Sequence, residues 1–147
     1  QGGGTMKLRE ATPADFPEVK VMLADAGLPR ADFVPEHLAF VAEDDGRVVA
    51  AIGFEALGDA GLLRSLVVTE GTRFKGLGRQ LVSTLEAHAL ERGVREIWLL
   101  TRGVDRYFLA LGYRARDRAE VPAEIRGTAE FSELCPDDAI LMSKTLG

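Results

Sequence analysis

The order strand, helix, strand across residues 61–101 constrains this chain more than any other feature. GLLRSLVVTE is apolar and β-branched, and REIWLLT is apolar again. Between them, from about Gly76 to Arg92, Leu77, Leu81, Val82, Leu85 and Ala89 recur at three- and four-residue intervals and form one stripe of an amphipathic helix. Two strands joined through a helix lie parallel in one sheet by the connection rules for crossovers. Upstream, AFVAED and RVVAAIGFEAL flank Asp45-Gly46, a dipeptide suited to a tight turn with positive φ, so they form a hairpin. Gly58-Asp59-Ala60-Gly61 turns the chain into GLLRSLVVTE and extends the hairpin to an antiparallel meander. The expected sheet is therefore mixed.

The remaining segments add to the same layers. MKLREA reads as a strand, and Thr12 followed by Pro13 opens a helix that runs to about Ala26 and stops at Gly27. LPRADFVPEHL reads as a loop with a short helical piece. VDRYFLALG is a short helix, GYRARDR a strand and AILMSKTL a last strand, and the excursion VPAEIRGTAEFSELCPDD could cover a site. The expectation is an α/β (α+β) fold of about six to seven strands and about four helices. A chain of 147 residues suits one domain. It is expected over residues 6–147, with QGGGT at 1–5 read as an expression remnant.

A single cysteine, Cys135, cannot make an internal disulfide, and the chain shows no signal peptide or long apolar run. Cytoplasm is the expected location. A net charge of −5 argues against nucleic-acid or membrane partners, which favour clustered basic surface. His37 and His88 fit no metal-ligand spacing, so no metal is expected. Trp98, in a central strand, reads as core, and lone Cys135 as a small hydrophobe.

The helix entrance RFKGLGRQL is where binding chemistry is legible. The first turn of a helix carries N–H groups without internal partners and about half a positive charge. Gly76 and Gly78 remove side chains from the approach to that backbone, and Arg73, Lys75 and Arg79 add charge that favours a phosphate. A plain turn followed by a solvated cationic face fits the same stretch. A P-loop requires Lys then Ser or Thr after its second glycine, and a dinucleotide fingerprint requires glycine where Leu81 stands, so neither motif applies.

The pattern Arg-x-x-Gly-x-Gly after a strand ending LVV, with YFLALGY downstream, resembles the GNAT superfamily of acetyl-CoA-dependent acyltransferases over nearly the whole chain from Met6. The resemblance implies that Arg73, Phe74, Lys75, Gly76, Leu77, Gly78 and Arg79 hold the coenzyme A pyrophosphate. It implies that Leu66, Val67 and Val68 pair with the pantetheine arm, and that the Val68 N–H stabilises the oxyanion of the thioester. Many members carry a general-acid tyrosine four residues before the glycine of LALGY. Phe108 stands there instead and is expected to contact the cofactor; Tyr107 is the candidate acid, although it points about 100° away on the helix. Thr101 replaces an asparagine common in the family.

Attack by an amine also needs a base. Glu55, in an otherwise apolar strand, is the candidate, and an outward-facing residue near a strand end is its other reading. Arg64 on the adjacent strand could pair with Glu55, bind a substrate carboxylate or face outward. LLRSLVV, WLLT and YFLALGY are similar to the ArsN-type arsenic-resistance acetyltransferases and to the acetyltransferase domain of N-acetylglutamate synthase. That branch implies an amino acid or glutamate-like acceptor, with arsenical and phosphinic analogues included. Arg64, Arg102, Arg118 and Arg126 are then the candidates for a substrate carboxylate. The partner expected is this small-molecule amine, and a homodimer is the prior that the resemblance sets. A non-catalytic acyl-CoA-binding module is the competing reading.

Overall fold

The computed structural model describes residues 6–27, 34–69, 76–101, 104–128 and 139–146. Seven strands, β1 (Met6–Glu10), β2 (Leu38–Asp44), β3 (Arg47–Leu57), β4 (Ala60–Val68), β5 (Glu96–Thr101), β6 (Arg114–Ala115) and β7 (Ile140–Thr145), form one sheet in the order β1-β2-β3-β4-β5-β7-β6. The α-helices are α1 (Phe16–Asp25), α2 (Leu77–Glu91), α3 (Asp105–Ala110) and α4 (Ala123–Arg126). The sheet is mixed as expected: β4 and β5 are parallel, whereas β1 with β2, β2 with β3, β5 with β7 and β6 with β7 are antiparallel.

The chain divides into two compact units whose sequence boundaries fall inside β3, after Phe54, inside β4, after Arg64, and inside α2, after Leu85. In the first unit the β2–β3 hairpin turns on Asp45 and Gly46, with φ +56° and +81°, the double positive value that matches the twist of a two-residue hairpin. Val19 and Leu23 of α1 pack with Leu38, Val41, Val48, Ala51 and Val67 of the strands. The helix expected from Thr12 opens as one 3₁₀ turn, Pro13–Asp15, before α1. Asp15 holds that entrance by accepting from the Thr12 N–H at 2.8 Å and from both Arg9 Nη atoms at 2.9 Å. Arg9 also pairs with Glu43 of β2, and its hydrogen bonds hold the Asp15 carboxyl below the usual carboxylate range.

In the second unit Ala60, Leu62, Trp98, Val121, Ile125 and Leu141 share a core. The Arg116 guanidinium lies 4.8 Å from the centre of the Trp98 ring. Every member of the α2 stripe is buried, and a leucine with no exposure such as Leu81 or Leu85 is worth about 1.5–3 kcal/mol in transfer from water. Two boundaries differ from the sequence expectation. Only Gly58 and Asp59 form the turn, with Ala60 and Gly61 already paired to Glu96 and Ile97. GYRARDR contributes just Arg114 and Ala115 as a strand, the Arg116 N–H adds one further bond to the Leu141 carbonyl of β7, and Arg118–Glu120 then closes into a 3₁₀ turn capped by Asp117.

Candidate functional site

The helix entrance and the end of β4 belong to the first unit. Ser65 has φ +59°, a conformation that non-glycine residues rarely adopt, and it breaks the alternation of β4. Before it Leu62, Leu63 and Arg64 are all buried; after it Leu66 is half-buried, Val67 is buried and Val68 is 39% exposed. The ladder to β5 is formed at Ala60, Gly61 and Leu62. On the other side the Thr69 N–H donates to the Val49 carbonyl at 2.8 Å, tying the end of β4 to β3.

Gly76 has φ +78°, and a Cβ built on it meets nothing within 4 Å, so the space beside this backbone is open. Its carbonyl accepts from the Gln80 N–H at 2.8 Å, which makes Gly76 the residue that opens α2. Leu77 anchors the first turn in the core, while Gly78 is half-buried and Arg79 exposed. The N–H groups of Leu77, Gly78 and Arg79 thus start a helix of 15 residues with no acidic side chain in its first turn. Arg73, Phe74 and Lys75 lie outside the described residues.

Glu55 and Arg64 belong to the second unit. Arg64 Nη1 lies 2.7 Å from Glu55 Oε2, and the side chains are 0% and 16% exposed. A guanidinium so deeply buried is tolerated because a carboxylate compensates it. The geometry therefore favours the paired reading of Arg64 over an outward cation.

The LALGY turn is held by a polar network that the sequence did not announce. Tyr113 is fully buried, and its hydroxyl donates to Glu86 Oε2 at 2.9 Å. Lys144 Nζ donates to Glu86 Oε1 at 3.0 Å and to the Leu111 carbonyl at 2.9 Å, and lies 5.6 Å from the centre of the Tyr113 ring. Burial, reinforced by the Glu86 charge, pushes the Tyr113 phenol far above its ordinary range. Its hydroxyl proton is thus engaged with Glu86. The only sequence signals were Tyr113 in LALGY and Lys144 in SKTL, and nothing local joined them to Glu86. Phe108 is buried, with the rings of Tyr107 and Tyr113 edge-on at 5.2 and 5.7 Å, whereas Tyr107 is 38% exposed.

Arg118 Nη2 donates to the Ala139 carbonyl at 2.9 Å, and the exposed Arg126 reaches the Arg118 carbonyl at 3.3 Å. Arg102 and Cys135 fall outside the described residues. Thr101 is buried at the end of β5. Among the described residues no group of three or more His, Cys, Asp or Glu is arranged to hold a metal ion, and no helix is long and apolar enough to cross a membrane.

Comparison with known proteins gives concordant results. The profile of the acetyltransferase (GNAT) family matches residues 6–113. An uncharacterized N-acetyltransferase of Chlorobaculum tepidum is 37% identical over 116 residues, 76% of this chain and 74% of that one. Among solved structures, N-acetylglutamate synthase of Neisseria gonorrhoeae, complexed with coenzyme A and N-acetyl-glutamate, superposes with a TM-score of 0.82 at 18% identity. That match covers 99% of this chain but 36% of the synthase. The Mycobacterium tuberculosis protein Rv2747, in complex with CoA, gives a TM-score of 0.78 at 22% identity, covering 96% of this chain and 99% of its own.

Proposed function

Because this chain belongs to the GNAT family of acetyltransferases, we propose that it transfers the acetyl group of acetyl-CoA to the amine of a small acceptor, an α-amino acid or glutamate-like analogue. The observation that carries the reading is the open, positive-φ Gly76 at the head of α2, following a strand whose end is exposed at Val68. This chain's residues fit coenzyme A: N–H donors at a helix start, beside a glycine whose Cβ position is open, suit a pyrophosphate. Gly76, Leu77, Gly78 and Arg79 would hold that group, and Leu66, Val67 and Val68 the pantetheine arm through their backbone. The cosubstrate supplies the acetyl group as a thioester, and the transfer yields an N-acetyl product, free thiol and one proton.

The chain's own residues supply the rest. Glu55 accepts a proton from the acceptor ammonium and passes it to solvent, leaving a nucleophilic nitrogen lone pair. The Val68 N–H donates a hydrogen bond to the acyl oxygen as negative charge grows there. As the new C–N bond forms and the C–S bond breaks, the second nitrogen proton is released toward the departing sulfur. Tyr107 is the candidate relay for that proton, giving its phenolic proton to the sulfur and taking the nitrogen proton in return, since Phe108 has no hydroxyl and Tyr113 is bound to Glu86. An amino-acid acceptor is supported by the likeness of the whole chain to a domain of N-acetylglutamate synthase. Arg102, Arg118 and Arg126 are the arginines proposed to receive its carboxylate, because Arg64 is paired with Glu55.

Thiol release from acetyl-CoA, measured with L-glutamate, phosphinothricin, a glutamate-like arsenical and an N-terminal peptide, tests the proposal. Turnover on one of the first three supports it. Turnover on the peptide alone overturns the acceptor class, and tight CoA binding without turnover on any amine makes the chain a binding module.

A further inference from the structure

We infer that Arg64 is a positioning residue for the transfer: it holds the Glu55 carboxylate in one orientation, ready to receive the proton of a cationic amine. The inference rests on Glu55 being the base. Its physical ground is the asymmetry of the pair. The guanidinium is wholly buried, and the carboxylate is the member that solvent, and therefore an acceptor, can reach. The two residues sit on β3 and β4 close to their Gly58-Asp59 turn, so their backbones are fixed relative to each other by a short rigid link.

Stability alone does not account for a buried arginine at this position. Replacing a buried ion pair by apolar residues of similar volume is often neutral or stabilising, because desolvation offsets the Coulomb gain. Leu62 and Leu63 show that β4 accepts apolar residues here on both faces. What an apolar residue cannot do is donate to a carboxylate. Arg64 does so at 2.7 Å from a planar, permanently charged group, which fixes the carboxylate rotamer without competing for the incoming proton. Immediately after Arg64, Ser65 takes its positive φ, a backbone state that persists only where the surroundings over-determine it.

Steady-state kinetics of Arg64→Met, Arg64→Lys, Glu55→Gln and the Arg64→Met/Glu55→Gln double variant test this, with acetyl-CoA and the panel amine that turns over fastest. CoA affinity is measured calorimetrically in each. Glu55→Gln is expected to lower kcat by about 100-fold or more, the scale of a general base. Arg64→Met should lower kcat by at least about tenfold while CoA affinity stays within about twofold, and Arg64→Lys should recover part of the loss. The double variant should match Glu55→Gln within about threefold, since the role inferred for Arg64 is exercised through Glu55. Wild-type kcat in Arg64→Met, or a double variant that loses the product of the two single effects, overturns the inference. Should Arg64→Met fail to bind CoA, Arg64→Lys decides alone: reduced kcat with unchanged affinity supports the role, and wild-type kcat overturns it. An active Glu55→Gln would remove the base itself, whereas an impaired Glu55→Gln beside a fully active Arg64→Met would remove only the positioning role.

Discussion

Gly76→Ala separates two costs that a glycine at a helix entrance combines. A Cβ there meets nothing within 4 Å, so the folded protein pays no steric penalty, only the strain of an L-residue at φ +78°. That strain is about 1–2 kcal/mol, and at roughly 2–4 °C per kcal/mol for a domain of this size it lowers Tm by roughly 2–8 °C. Gly46→Ala is the matched control, because Gly46 has φ +81° and the same open space in the β2–β3 turn. The two variants should therefore melt alike without ligand. With CoA at 100 times the wild-type Kd, the wild-type protein and Gly46→Ala gain about 2.7 kcal/mol by mass action. If the methyl of Gly76→Ala keeps a pyrophosphate from the backbone and weakens binding tenfold, its gain falls to about 1.4 kcal/mol. Thermal melts of the three proteins with and without CoA measure the difference. Equal CoA-induced shifts in both variants would refute the cradle.

Two stability predictions follow from strained or charged positions. Ser65→Val puts a β-branched residue at φ +59° and should cost about 1–3 kcal/mol in denaturant melts, whereas Ser65→Gly should stay within about 1 kcal/mol of wild type; a fully stable Ser65→Val would mean that the backbone there is not held at positive φ. Asp15 has its folded-state carboxyl held down by Arg9, so its stabilising contribution is complete above the unfolded value of about 3.9 and is lost as pH falls through the lower folded value. Asp15→Asn should cost about 1.5–3 kcal/mol near neutral pH and flatten the stability curve below about pH 4. An unchanged acid-unfolding profile would show that the Arg9–Asp15 pair contributes nothing.

Elements set by local chemistry were legible residue by residue. Asp45-Gly46 dictated a hairpin because few other dipeptides accept two positive φ values. The spacing of Leu77, Leu81, Val82, Leu85 and Ala89 dictated one buried helix face, and Gly93, with φ +87°, ends that helix. β6 was overestimated because Tyr113, Arg114 and Ala115 alternate convincingly, yet the Asp117 cap turns the chain into a 3₁₀ turn soon after Arg116 has made its bond to β7. The depth of Arg64 was illegible for a related reason. Alternation puts Leu63 and Arg64 on opposite faces, and nothing local reveals that both faces of β4 are covered there.

The sequence by itself therefore determined the order of elements, the parallel crossover and the glycine-bearing helix entrance, all of which depend on residues within a few positions of one another. The tertiary structure alone decided which side chains meet. Arg64 reaches Glu55 across two strands, and Glu86 gathers Tyr113 and Lys144 from 27 and 58 residues away. Such contacts depend on strand register and helix rotation, which only the packed core fixes, and for that reason Glu55 and Arg64 could be named from the sequence as candidates while their pairing could not be told from the other readings.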